Sequence, residues 1–175
     1  MTQSVVENKP EEHAAPPKPA RKSATLVVLS GDFDKLFAAF TIATGAAAVN
    51  MDVTMFFTFW GLRAVRKNKH TGKSLFGHMV GLIEGGDISK ANPSKYGFLG
   101  MGRWMFKKMM KNKNVAGLEE LRQLAVDLGV NMYCCQTSLE VMEVERMHLI
   151  DEVTDTAGVG FMLEQAQKSD FTLFI

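Results

Sequence analysis

Cysteine is scarce in this chain: 175 residues hold two, Cys134 and Cys135, side by side. Neighbours cannot make a disulfide framework, and a bond between adjacent cysteines is strained, so a reducing, cytoplasmic setting is expected. No Cys-x-x-Cys occurs, and His13, His70, His78 and His148 are scattered with no pair four residues apart, so no metal site is expected. The Gly-x-Ser-x-Gly elbow of serine hydrolases is missing as well. Of the phosphate-binding signatures, Thr71-Gly-Lys-Ser74 lacks its upstream glycine, and Gly97-Phe-Leu-Gly-Met-Gly102 follows no strand, so no nucleotide cofactor is expected. Charge of one sign is lacking too: a net +1 argues against nucleic acid as a partner. With no charged-then-apolar leader and no run of about 20 apolar residues, neither a signal peptide nor a spanning helix is expected.

Proline is absent almost everywhere except the start, where residues 1–22 carry four of the five. Mixed with Glu, Lys and Ala, they predict an extended, disordered tail. The remaining 23–175, in a chain that is 46% hydrophobic, is enough for one domain. Ala24-Thr-Leu-Val-Val-Leu-Ser30 is an apolar, β-branched run that predicts a strand buried on both faces. Gly31-Asp-Phe-Asp34 turns the chain, with Asp32 placed to cap a helix over 33–50 whose Leu36, Phe40, Ala43 and Ala47 share a face and whose Gly45 permits close packing. Asp52 to Phe59 is a second buried strand, completing a βαβ unit with a right-handed crossover.

The middle differs. Residues 61–116 contain twelve Lys/Arg against two Asp/Glu, with nine of the fifteen glycines and five of the twelve methionines. Residues 117–175 reverse the balance, with three Lys/Arg and eleven Asp/Glu, so one face is suited to an anionic partner or another subunit. Residues 63–116 read as a Gly/Met/Lys-rich insertion, a partly mobile excursion from the core. Within it Trp104, Met105, Lys108 and Met109 fall on one side of a helix. That side suits either a peripheral membrane or partner contact, or a solvated charged face with a Met-lined contact.

Regularity returns with a helix through Leu118, Leu121, Leu124, Ala125 and Leu128, stopped by Gly129. A strand from Val130 to Cys134 or Cys135 follows, then a short helix over 138–144, an edge-like strand within 150–155, a helix over 156–167 and a last strand at 171–175. Alternation of this kind predicts a three-layer α/β fold with a mainly parallel open sheet. Thr137-x-x-Glu140 reads as a capping box, which sets the cysteines at a strand end just before a helix N-terminus. Ligands bind at that edge of an open α/β sheet, and helix N-termini favour a thiolate. Side chains alternate along a strand, so one cysteine belongs to the core, and Cys134 is assigned there. Cys135 has two readings: a small buried hydrophobe or a reactive thiolate. Cys–His catalysis would require the fold to bring His78 or His148 to it, and no Thr-x-x-Cys motif of a peroxide-reducing thiol precedes it.

Leu29-Ser-Gly-Asp-Phe-Asp-Lys35, the stretch from Ala46 through Phe56-Phe-Thr-Phe-Trp-Gly-Leu62, and Cys135-Gln-Thr-Ser138 together resemble the DsrE/DsrF-like sulfur-relay family, in its DsrE-like sulfurtransferase branch. The resemblance covers residues 24–175 and includes a Gly- and Met-rich insertion. Here Gly81-Leu-Ile-Glu-Gly-Gly-Asp87 replaces a Met-Pro-rich version. It implies a DsrE/F-like, flavodoxin-like fold, homo-oligomers, and a sulfur carrier or sulfurtransferase that holds sulfane sulfur as a persulfide on Cys135. Its partners would be sulfur-donor and sulfur-acceptor proteins or small sulfur anions. Gln136, Thr137, Ser138, Ser30 and Asp32 are the expected neighbours at the same sheet edge, with Lys or Arg of the insertion attracting anionic donors. Asp32 and Asp34, if close to the thiol, would raise its pKa. The alternative is a non-catalytic assembly or binding module in which Cys135 only packs.

Overall fold

The computed structural model describes residues 21–67, 72, 74, 75, 78, 86–95 and 101–175. Most of the Pro-rich tail, His13, His70 and much of the insertion, including 81–85, lie outside the described residues. Five strands form one sheet: β1 Ser23–Val28, β2 Asp52–Phe57, β3 Asn131–Cys135, β4 Asp155–Ala157 and β5 Phe171–Phe174. Their order is β4-β3-β2-β1-β5 and every pair is parallel. The helices are α1 Phe33–Ala48, α2 Met101–Asn112, α3 Leu118–Asp127, α4 Gln136–Val141 and α5 Val159–Lys168.

Register decides the layers. Leu26 pairs with Met55 and Leu173, and Met55 with Met132, so these side chains share one face; Val28, Phe57 and Cys134 share it too. That face packs on α1 and α3, where Leu36, Ala39, Phe40, Ala43, Leu118, Leu121 and Ala125 are buried. A fully buried Leu or Phe there contributes about 1.5–3 kcal/mol through the area it removes from water. The opposite face carries Thr25, Val27, Phe56, Tyr133 and Cys135. It is covered by α5, whose Phe161 ring lies 4.4 Å from that of Tyr133. No residue of α5 is buried, so this cover is thin.

Two expectations are corrected. Gly45 is exposed and a Cβ built on it meets nothing within 4 Å; the small residues that let α1 approach the sheet are Ala39, Ala43 and Ala46. The edge strand is at Asp155–Ala157 and not within 150–155. Ile150 and Val153 are buried as loop residues, and the Arg146 guanidinium donates to their carbonyls at 3.0 and 3.1 Å, which holds the segment as a turn. Some described parts of the insertion reach the core, while Leu75 and most of α2 are exposed. A 3-10 segment, Phe59–Val65, buries Leu62 to Val65, Arg66 is 1% exposed, Ile88 and Ala91 join the core, and Phe106 meets Phe33 with ring centroids 6.2 Å apart. On α2 the outer side holds Trp104, Met105 and Met109, with the Lys108 ammonium 5.2 Å from the Trp104 ring centre.

Candidate functional site

Parallel strands present their carboxyl ends at one edge, and the ends of β1, β2 and β3 meet there. The two cysteines part at that edge. Cys134 is fully buried in the core, and burial pushes its thiol up to about 12, the Arg146 charge opposing and Cys135 adding to the rise. Cys135, on the other face, is partly exposed. Because α4 starts at Gln136, Cys135 is itself the N-cap residue, with φ −66° and ψ 116°. The capping box expected at Thr137 does not form; Glu140 instead accepts a hydrogen bond from the Gln136 side-chain amide at 3.1 Å.

Two hydroxyls and two amides stand around the sulfur. Partial burial raises the Cys135 pKa, but hydrogen bonds from the Ser138 hydroxyl, the Ser138 amide, the Thr58 hydroxyl and the Thr137 amide outweigh it and hold the thiol below its ordinary 9.0. A thiolate accepts such bonds more strongly than a thiol, which is why they act in this direction. The Thr58 and Ser138 hydroxyls lie 2.7 Å apart, so one of them donates to the other and a single hydroxyl proton is left for the sulfur at any moment. Ser138 is 1% exposed, a small polar residue buried for its contacts.

The expected neighbours divide. Ser138 contributes side chain and amide, Thr137 its amide alone, and the Gln136 side chain is spent on Glu140. Ser30 and Asp32 are elsewhere on the edge. The Ser30 hydroxyl accepts the Asp32 amide at 3.1 Å, and both residues line a separate cavity of about 220 Å³ with Gly31, Trp60, Arg63 and Asn92. Asp32 occupies the N-cap position of α1 without a side-chain cap bond and pairs with Lys35 at 3.8 Å. The Asp34 carboxylate accepts the Ser94 amide and hydroxyl at 2.8 and 2.7 Å. The carboxylates thus have partners of their own away from the sulfur. His148 accepts the Glu145 amide through Nδ1 at 3.0 Å, and His78 is exposed. Among the described residues no three His, Cys, Asp or Glu side chains gather as a metal site, and no helix is long and apolar enough to cross a membrane.

Thr58 was not expected. The signal for it was the strand ends: Phe57 pairs with Cys134, so the next residue of each strand, Thr58 and Cys135, shares the opposite face. Its placement is built in by the loop. The Thr58 amide donates to Val28 O at 3.0 Å and Gly61 to Leu29 O at 2.8 Å, and a Cβ on Gly61 would stand 2.1 Å from Val28 O. Between them Phe59 adopts a left-handed backbone, φ 44°, which is costly for a bulky residue and is retained where the surroundings fix it.

Known proteins resemble this chain over nearly its whole length. It is 38% identical over 156 residues to the uncharacterized protein YrkE of Bacillus subtilis, spanning 88% of this chain and 97% of that protein. With the sulfur carrier protein DsrE2 of Allochromatium vinosum the identity is 31% over 159 residues, covering 89% and 99%. The crystal structure of the YchN protein from E. coli superposes with a TM-score of 0.52 at 11% identity, over 88% of this chain and 99% of that one, a likeness of fold. The profile of the DsrE/DsrF/DrsH-like family matches residues 20–174, and the chain belongs to that family.

Proposed function

We propose that this protein is a sulfur carrier that holds sulfane sulfur as a persulfide on Cys135 and passes it to a partner thiol. The observation that carries the reading is the convergence of two hydroxyls and two amides on the Cys135 sulfur, which favours its thiolate. The DsrE2 relative, named a sulfur carrier, supports the same chemistry. In the loading step the Cys135 thiolate attacks the outer sulfur of a donor R–S–SH. The new S–S bond forms as the donor's S–S bond breaks, giving Cys135–S–SH and the thiolate R–S⁻, with no net oxidation. Delivery is the same exchange in reverse, onto an acceptor thiolate. Partners are then sulfur-relay proteins or small sulfur compounds, and the working unit is the domain of residues 23–175 in a reducing, cytoplasmic setting, assembled as a homo-oligomer.

Intact mass after incubation with a persulfide donor tests this. Wild type gains one sulfur, lost again under reductant, and Cys135→Ser gains none. Equal loading of both would move the chemistry to Cys134. No loading from any of several donors would favour an assembly module in which Cys135 only packs.

A further inference from the structure

One side of α2 is left uncovered by the described residues. The inner side is fixed: Gly102 is buried, Phe106 and Met110 pack on the core, and the Arg103 guanidinium donates to Lys90 O at 2.9 Å. On the outer side Met101, Trp104 and Met109 are 66%, 63% and 54% exposed, and Met105 41%. At 3.6 residues per turn these four share one side of the helix, an apolar stripe of the kind that marks a contact surface. The same side carries charge of one sign. Lys108 stands in the middle of it, its ammonium 5.2 Å from the Trp104 ring centre, and Lys107, Lys111 and Lys113 are exposed around it. No Asp or Glu occurs from Ile88 to Leu118, a stretch with seven Lys or Arg. Glu119 and Glu120 stand toward α3, beside Lys107 and Lys111 around one cavity. The hollow of Trp104, Lys107, Lys108, Lys111 and Asn112 has no carboxylate among its described walls.

The mixture decides between occupants. The centre of a protein–protein interface is depleted in lysine, because a compact ammonium is costly to strip of water. A protein seated on this stripe, a second copy included, would have to bury Lys108 along with Trp104. A lipid headgroup layer matches the same arrangement. Tryptophan settles at the boundary, flexible methionines reach the acyl chains, and lysine stems extend back to the phosphates. We propose that α2 is a peripheral docking helix for an anionic lipid surface, lying in its plane with Met101, Trp104, Met105 and Met109 inward. At 12 residues it is too short to span the bilayer. Residues 117–175, with eleven Asp/Glu against three Lys/Arg, are repelled by such a surface, so charge turns the molecule with α2 toward it. The docking does not depend on the chemistry of Cys135.

The test sediments the full chain with phosphatidylcholine vesicles made with and without phosphatidylglycerol. Wild type should bind the phosphatidylglycerol vesicles alone and be released by high salt. Combining Lys107→Glu, Lys108→Glu and Lys111→Glu should weaken binding at least about tenfold, and Trp104→Ala should weaken it while leaving the charge unchanged. All four side chains are exposed, so the variants keep the fold, which circular dichroism checks. In Trp60→Phe protein Trp104 is the remaining tryptophan, and its emission should move to the blue on the vesicles. No binding by wild type, equal binding to neutral vesicles, or full binding by the charge variant overturns the proposal. Binding to polyglutamate as tight as to vesicles, without the blue shift, would overturn it in favour of an acidic protein. Self-association lost in the charge variant, with no vesicle binding by wild type, would overturn it in favour of a second copy.

Discussion

Thr58 and Ser138, eighty residues apart in sequence, join their hydroxyls in a 2.7 Å hydrogen bond, and the pair lowers the pKa of Cys135. One directly follows β2 and the other lies in the first turn of α4, so the acidity of the thiol is a product of tertiary structure.

Removing that contact has a defined effect. In Ser138→Ala the thiol loses its strongest hydroxyl donor, and the Thr58 hydroxyl loses its partner. Alkylation of Cys135 by iodoacetamide at neutral pH should slow about threefold to tenfold, less than a buried charged bond would give because the thiol is partly exposed. The pH profile of the rate should move upward. A profile that stays in place would show that the hydroxyls do not set the thiol's acidity.

The two cysteines should be separable by labelling. Native protein near neutral pH should take up one equivalent of iodoacetamide, at Cys135, and urea-unfolded protein two. Peptide mapping checks the position; modification of Cys134 in the native state would contradict its burial.

Stability should fall at alkaline pH. Cys134 ionises near 9 when unfolded but at about 12 when folded, so above pH 9 the unfolded state releases a proton that the native state keeps, and unfolding is favoured. Cys135 acts in the opposite sense: its depressed pKa gives a contribution present in full above 9.0 and lost as pH falls through the folded value. Urea midpoints between pH 8 and 10.5 for wild type, Cys134→Ala and Cys135→Ser should show a shallower alkaline decline in the first variant and a steeper one in the second.

Gly61→Ala should destabilise the fold by about 2 kcal/mol or more, since overpacking forces a backbone shift. A Cβ there would meet Val28 O at 2.1 Å. The same shift displaces Thr58, so alkylation of Cys135 should slow alongside the loss of stability. Stability lost with reactivity unchanged would mean that the loop does not position Thr58.

The sheet and its order of elements were legible because buried parallel strands are written as apolar runs. β1, α1 and β2 lie within two residues of their expected ends, and the overshoot at β2 is informative. Thr58 and Phe59 continue the apolar run, yet Phe59 turns left-handed and the chain closes back on β1. Arg63 and Arg66 looked like part of a basic surface; nothing in a charge count says that a guanidinium is buried. Ile150 and Val153 have strand composition but serve the core from a loop, because Arg146 holds their carbonyls. At the candidate site, adjacency to a helix start singled out Cys135. Thr58 required the register of β2 against β3, and the separation of Ser30 and Asp32 from the thiol required the count of strands between them.

The cysteines share a peptide bond yet project to opposite faces of the sheet, Cys134 into the core and Cys135 toward α5. A sulfur carrier with a free thiol beside its loaded site runs the risk of self-discharge: the thiol attacks the inner sulfur of the persulfide, hydrogen sulfide leaves and an internal disulfide remains. Here the strand keeps the two sulfurs apart, and bridging them would require β3 to leave its register. On the carrier reading proposed above, a loaded sulfur waits for an outside thiol, and the pleat of one strand serves as the insulation.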